Sequence, residues 1–255
     1  MSSTPAAIAQ RLAEAWHAGR ALDAAELRVP DAACAAAVQR ALWQRLAPAQ
    51  SAPAAWKVGA AGPDAAITSA PLPAVRPGGS TLSGPVFQRR GIELELALRL
   101  ARDIDDPERL ARAGSAAACI ASVHAALEVV ESRIAGWPQV PAWAKLADLQ
   151  SHGALVLGDA ADWRPADGLP RLQGLAATLD VDGARVAGTV GGHPAPDLCR
   201  LLAALARQAA DQGWPLRAGT VITSGSCTGM VFVGPQAQVS GRLSIAPAVS
   251  LSFAH

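Results

Sequence analysis

Residues 91–98 read Gly91-Ile92-Glu93-Leu94-Glu95-Leu96-Ala97-Leu98. In an extended strand alternate side chains face opposite sides. Ile92, Leu94, Leu96 and Leu98 then share an apolar face, and Glu93, Glu95 and Ala97 share the other. Two carboxylates two residues apart on a strand lie only ~7 Å apart and repel unless something positive sits between them. A hard divalent cation meets that need: Mg²⁺ or Mn²⁺ takes carboxylate oxygens and keeps positions open for water and substrate. The pair by itself also suits a solvent-facing strand, the commoner setting for glutamate.

A third carboxylate shifts the balance toward a cation. Ala125-Ala126-Leu127-Glu128-Val129-Val130-Glu131-Ser132-Arg133-Ile134 places Glu128 where a helical pattern gives way to a β-branched run. A glutamate leading into an apolar strand is costly to bury without a partner. Glu131 has the opposite strand parity and is expected to pair with Arg133 or with solvent. The chain has no tyrosine, so proton transfer falls to carboxylates, lysine, histidine or water.

The elements that must position these groups are legible as apolar periodicities. Residues 3–50 read as two helices. Ser3 or Thr4 can cap the first, with Pro5 in its first turn and Ile8, Leu12 and Trp16 at helical spacing. Pro30-Asp31 opens the second, whose stripe runs through Val38, Leu42 and Leu46. Ser51-Ala52-Pro53 is a linker, which divides a small N-terminal helical region, 1–53, from the rest, 54–255. Beyond it, short apolar runs between Gly and Pro predict strands at 55–58, 92–100, 127–134, 154–157, 175–181, 184–190, 220–224 and 237–253. Asp182-Gly183 between two such runs is a hairpin signal. Two helices are expected among the strands, one at about 115–127 and one from Pro196 to a stop at Gly213. Strands that follow one another without regular helical crossovers predict an α+β fold with a largely antiparallel or mixed β core and flanking helices.

Composition excludes several classes. The 255 residues include 22 basic and 21 acidic side chains, and no basic patch with stacking aromatics marks a nucleic-acid partner. No apolar run approaches the ~20 residues of a membrane span. Met1-Ser2-Ser3-Thr4-Pro5 has no basic stretch followed by an apolar core, so a cytoplasmic protein is expected. Cys34, Cys119, Cys199 and Cys227 form no CxxC pair and read as small buried residues.

In combination the motifs resemble a known family. Glu93-Leu94-Glu95 on its apolar strand, followed by Ala-Leu-Glu-Val-Val-Glu-Ser-Arg-Ile, is similar to the 2-keto-4-pentenoate hydratase and 4-oxalocrotonate decarboxylase group of the fumarylacetoacetate hydrolase superfamily. Trp56-Lys57-Val58-Gly59, Leu155-Val156-Leu157-Gly158, Gly192-His193-Pro194 and Thr223-Ser224-Gly225-Ser226-Cys227-Thr228-Gly229 match in the same order, from about residue 54 to the C-terminus. The N-terminal helices also look like that group's.

The resemblance implies a mixed β-roll with flanking helices. It implies that Glu93, Glu95 and Glu128 bind Mg²⁺ or Mn²⁺, that Lys57 is the site lysine, and that the Ser/Thr turn at 224–228 serves the substrate. A 2-oxo acid can chelate such a metal through its carboxylate and keto oxygen, and the metal stabilises an enolate as a nearby bond is made or broken. Lys57, desolvated beside the metal, would have a lowered pKa and could shuttle the proton; a snorkelling strand lysine is the alternative. Ser224, Ser226 and Thr228, with the neighbouring glycine N–H groups, suit a cradle for the substrate carboxylate, and equally a tight turn between strands. His193 is a candidate acid or base, as is His152, though a histidine beside glycine is more often a loop or capping residue.

The pattern departs from the family in places. The family's acid after the lysine motif is absent from Ser69-Ala70-Pro71-Leu72-Pro73-Ala74-Val75, Ala147-Asp148-Leu149-Gln150-Ser151 has leucine in place of an amide, and Trp56 replaces the commoner tyrosine. The expected activity is hydration of a small unsaturated 2-oxo acid such as 2-keto-4-pentenoate. Decarboxylation of the 4-oxalocrotonate type and acylpyruvate-type C–C hydrolysis are the alternatives within the superfamily. A non-catalytic partner subunit of a hydratase–decarboxylase complex is the alternative of another class. A homo-oligomer is also expected.

Overall fold

The computed structural model describes residues 4–60 and 62–254. Helices α1 (Pro5–Ala18) and α2 (Ala32–Leu46) begin as their sequences require. The Thr4 hydroxyl accepts from the Ala7 N–H at 3.3 Å, and the Asp31 carboxylate accepts from the Cys34 N–H at 2.8 Å. Ser3, the other candidate cap, lies outside the described residues. Ile8, Leu12, Val38 and Leu42 are fully buried, in a cluster that also takes in Ile134 and Ala144.

The strands are β1 (Ala55–Gly59), β2 (Thr68–Leu72), β3 (Val75–Pro77), β4 (Ser80–Leu82), β5 (Gly91–Leu100), β6 (Ile120–Val130) and β7 (His152–Ala160). There follow β8 (Ala176–Val181), β9 (Ala184–Val190), β10 (Val221–Ser226), β11 (Val231–Phe232), β12 (Gln238–Leu243) and β13 (Val249–Phe253). One sheet runs β2-β1-β10-β5-β6-β7-β3, with β11 also paired to β5. The other runs β4-β13-β12-β8-β9. Parallel pairs (β1 with β10, β3 with β7, β4 with β13) occur among antiparallel ones, which makes the roll mixed. Asp182 and Gly183 both have positive φ, 51° and 80°, and turn the β8–β9 hairpin as their sequence predicts.

The apolar faces of the sheets meet in the main core, where Leu94, Leu96, Leu98, Leu127 and Val129 pack with Val239, Leu243, Leu251 and Phe253. Gly241 of β12 makes this approach possible: a Cβ there would lie 2.6 Å from Leu94 Cδ1 and 3.1 Å from Leu127 Cδ2. Helix α3 (Ala113–Ala117) and α4 (Ala142–Ala147) are short. Helix α5 (Leu198–Asp211) buries Leu198, Leu201, Leu202, Leu205 and Ala209, one face at helical spacing. No helix among the described residues is long and apolar enough to cross a membrane.

Three expectations need correction, the first being the strand expected at 127–134, which ends at Val130. The helix expected at 115–127 is only α3, and most of that span belongs to β6, a central strand hydrogen-bonded on both sides. Its alanines favour a helix locally, but pairing along both edges overrides propensity. Residues 237–253 form two antiparallel strands rather than one.

Candidate metal centre

Strand β5 lies between β10 and β6. Glu93 is directly opposite Glu128 of β6, Ala97 is opposite Thr223 of β10, and Thr223 is opposite Lys57 of β1. Cross-strand partners share a face. Lys57, Thr223, Glu93, Glu95 and Glu128 therefore project together from the side of the sheet opposite Leu94 and Leu96. One carboxylate oxygen from each of the three glutamates lies within 4.8 Å of the others.

The hydrogen bonds divide the work among the carboxylate oxygens. Oε1 of Glu128 accepts from Lys57 Nζ at 2.7 Å and from His152 Nδ1 at 2.9 Å. Oε2 of Glu128 is buried with no hydrogen-bond partner. The Thr223 hydroxyl donates to Oε2 of Glu95, and Lys57 Nζ also donates to the Gln150 carbonyl at 3.3 Å.

Electrostatics show what this set of groups lacks. Burial, then repulsion from Glu128, pushes Glu95 up to about 8, and the same two causes raise Glu93. Burial also opposes ionisation of Glu128, but the Lys57 charge and the His152 hydrogen bond outweigh it and hold its pKa below the ordinary carboxylate range. Burial works to lower Lys57, yet the charges of Glu128, Glu95 and Glu93 together raise it. The three acids that face Lys57 set this direction, whereas the lowered value expected from sequence refers to a lysine beside a bound cation. Three hard oxygen donors, surplus negative charge and an unpartnered buried Oε2 fit a divalent cation.

A turn beside the cluster supplies two of its contacts. Leu149, Gln150 and Ser151 have φ of 49°, 52° and 60°, left-handed conformations that cost non-glycine residues about 1–3 kcal/mol each. A buried clamp holds them. Arg133 Nε donates to Asp148 Oδ1 at 2.6 Å and Nη2 to the Asp148 carbonyl at 2.7 Å, while Nη1 donates to the His152 carbonyl. The Arg133 N–H and the Ser132 hydroxyl both donate to Asp148 Oδ2. The Arg133 guanidinium lies 4.5 Å from the Trp16 ring centroid of α1. Glu131, expected to pair with Arg133 or solvent, is instead buried and accepts from the Arg89 and Arg90 backbone N–H groups. The chain bends so that Arg133 reaches Asp148.

The remaining candidates lie on or beside the turn at 224–229. The Ser224 hydroxyl donates to the Leu96 carbonyl, and those of Ser226 and Thr228 donate to the Gly229 carbonyl. Thr228 also accepts from the Leu94 N–H at 3.3 Å, which ties the turn to the strand bearing the glutamates. Nδ1 of His193 accepts from the Ala195 N–H at 3.1 Å, and its ring packs against Gly225, behind this turn. Thr223, Gln150 and the Asp148 clamp were not anticipated. Each had a signal in the motifs, since Thr223 opens the turn motif and Asp148 and Gln150 lie in the family-like segment 147–151.

The sequence pattern of residues 29–247 matches that of the fumarylacetoacetate (FAA) hydrolase C-terminal family. The chain belongs to the fumarylacetoacetate hydrolase family. Among solved structures, this family member is similar to 4-oxalocrotonate decarboxylase from Pseudomonas putida G7 complexed with magnesium and adipate. That match has 20% identity and a TM-score of 0.82, and covers 98% of this chain and 97% of the other. The same enzyme complexed with calcium and acetate matches with a TM-score of 0.80 and equal coverage. A 2-hydroxyhepta-2,4-diene-1,7-dioate isomerase from Mycobacterium marinum matches at 15% identity with a TM-score of 0.53, covering 78% of this chain and 73% of that one. At such identities the likeness is one of fold, and the fold is the mixed β-roll that the sequence resemblance implied.

Proposed function

We propose that this family member is a divalent-metal-dependent lyase that hydrates a small unsaturated 2-oxo acid of the 2-keto-4-pentenoate kind. The observation that carries the proposal is the convergence of Glu93, Glu95 and Glu128, with one buried oxygen free, beside a partly buried lysine. Those three glutamates would hold Mg²⁺ or Mn²⁺. When bound, the ion supplies a Lewis acid for the carboxylate and keto oxygens of a 2-oxo acid and offsets the negative charge that raises Lys57.

The protein's own residues do the rest. Lys57 Nζ, held by Glu128 and the Gln150 carbonyl, keeps a proton beside the cluster and can deliver it to a substrate carbon that gains electron density. Thr223 fixes the rotamer of Glu95 through its hydroxyl. Ala97 and Ala126, opposite Thr223 and Glu95, are fully buried in a cluster with Leu155 and Leu157 on the same face.

Decarboxylation of a 4-oxalocrotonate-type substrate is the second reading, favoured by the whole-length likeness to a decarboxylase. Incubation with 2-hydroxypenta-2,4-dienoate and with 4-oxalocrotonate, in the presence of Mg²⁺ or Mn²⁺, separates the two. Loss of conjugated absorbance without CO₂ supports hydration, and CO₂ release from the second substrate supports decarboxylation. Inertness toward both with metal bound would sink the lyase proposal and favour a partner-subunit role. Assembly as a homo-oligomer is part of the same proposal, with light scattering as its check.

A further inference from the structure

His152 belongs to none of the three carboxylates' strands, yet it touches one of them. It opens β7, opposite Val130 at a register shift between β6 and β7, and is 1% exposed. Its Nδ1 lies 2.9 Å from the same Glu128 oxygen that Lys57 contacts. We propose that His152 is a positioning residue for Glu128: it fixes Oε1 so that Oε2 stays free as the metal donor whether or not Lys57 remains in contact. This role rests on the metal-centre reading of the cluster.

A carboxylate held only by a lysine is held by a flexible four-carbon stem. If Nζ turns toward substrate, the carboxylate loses its anchor and can swing either oxygen to the ion. The imidazole restricts that freedom because it is buried on a backbone held in place. Its backbone carbonyl accepts from Arg133 Nη1, whose guanidinium is fixed by Asp148. The next residue, Gly153, is packed so closely that a Cβ there would lie 2.8 Å from both Glu131 Cγ and the Val129 carbonyl. One oxygen with two donors and the other with none is the asymmetry expected of a ligand oriented through its non-ligating oxygen. Lys57 is thereby left free for proton transfer.

The test is calorimetric titration of Mg²⁺ into chelator-treated wild type, His152→Asn, His152→Gln and His152→Phe. Asparagine carries an N–H donor where Nδ1 sits, whereas glutamine carries it near Nε2. The expected result is near-wild-type affinity for His152→Asn and a loss of about 10–100-fold for His152→Gln and His152→Phe, the usual cost of removing such a partner. In a Glu128→Ala background His152→Phe should cause no further loss, because its effect runs through that carboxylate. Should His152→Phe fail to fold, the Asn–Gln difference decides the matter. Wild-type affinity in His152→Gln, or an undiminished His152→Phe effect without Glu128, overturns the role. A wild type that binds no Mg²⁺ overturns the metal centre along with it, so the two failures are distinguishable.

Discussion

Glu93, Glu95 and Glu128 differ in their surroundings more than in their chemistry, and their variants should differ accordingly. Glu95→Gln and Glu128→Gln each remove a buried carboxylate from the donor set and should weaken Mg²⁺ binding at least about tenfold, as read by calorimetry. Lys57→Met separates charge from catalysis. It should lower turnover by about 10²–10⁴-fold, the range of a positioned proton-transfer group. It should leave Mg²⁺ affinity equal or higher, because a competing cation has gone. Weaker metal binding in Lys57→Met would show that the lysine holds Glu128 in place by itself. Glu93 and Glu95 were legible because two-residue alternation puts them on one side whatever the rest of the fold does, and Glu128 because it leads into a β-branched run. His152 was weighed only as a lone titratable residue. Its contact with Glu128 depends on the register shift between β6 and β7, which no local pattern encodes.

At the level of elements, the left-handed turn at 149–151 stays in place because the Arg133–Asp148 pair over-determines it. Asp148→Ala leaves a buried guanidinium unpaired and should cost about 3–5 kcal/mol in urea unfolding. Substitution of an exposed ion pair such as Arg207–Glu108 should cost no more than about 1 kcal/mol. Equal costs would mean that the clamp contributes nothing beyond a surface contact. Strands with clear alternation, such as β5, and the Asp-Gly hairpin could be read directly. Strand β6 could not, because its Ala-rich first half has the composition of a helix and becomes a strand only between two partners. The clamp was hidden for a similar reason: Arg133 and Asp148 meet across a bend that the strand parity of Glu131 did not foretell.

For the whole molecule, the cluster couples stability to pH. The Glu95 pKa is about 8 in the metal-free fold, against an ordinary value of 4.5. The folded state therefore binds this proton more tightly than the unfolded chain. The stability linked to it is fully present below pH 4.5 and is lost as pH rises toward 8. The Glu95 share is read against Glu95→Gln: from pH 5.5 to 8 the metal-free wild type should lose Tm relative to that variant. His124, His152 and His193, held below the ordinary histidine range by burial, act with the opposite sign in both proteins. The increase in Tm on adding Mg²⁺ should grow over the same interval, since the ion binds the ionised form. Differential scanning calorimetry at fixed ionic strength reads both, and a Mg²⁺ effect that shrinks with rising pH would contradict the assignment. The order of the motifs made the roll legible, whereas the closeness of the two sheets at Gly241 needed three dimensions.

The stack of Trp16 on Arg133 has a kinetic consequence. The stack depends on Arg133 having met Asp148, which the pairing of β6 with β7 brings about. The β-roll can collapse on its own apolar faces, but the turn that presents His152 and the Gln150 carbonyl is clamped through an arginine that the first helix covers. During refolding from urea, secondary structure should return before the capacity to bind Mg²⁺ does. Deletion of residues 1–18 should delay or abolish the second event more than the first. The amino-terminal helix would then act as the last latch on a centre built almost entirely from strands.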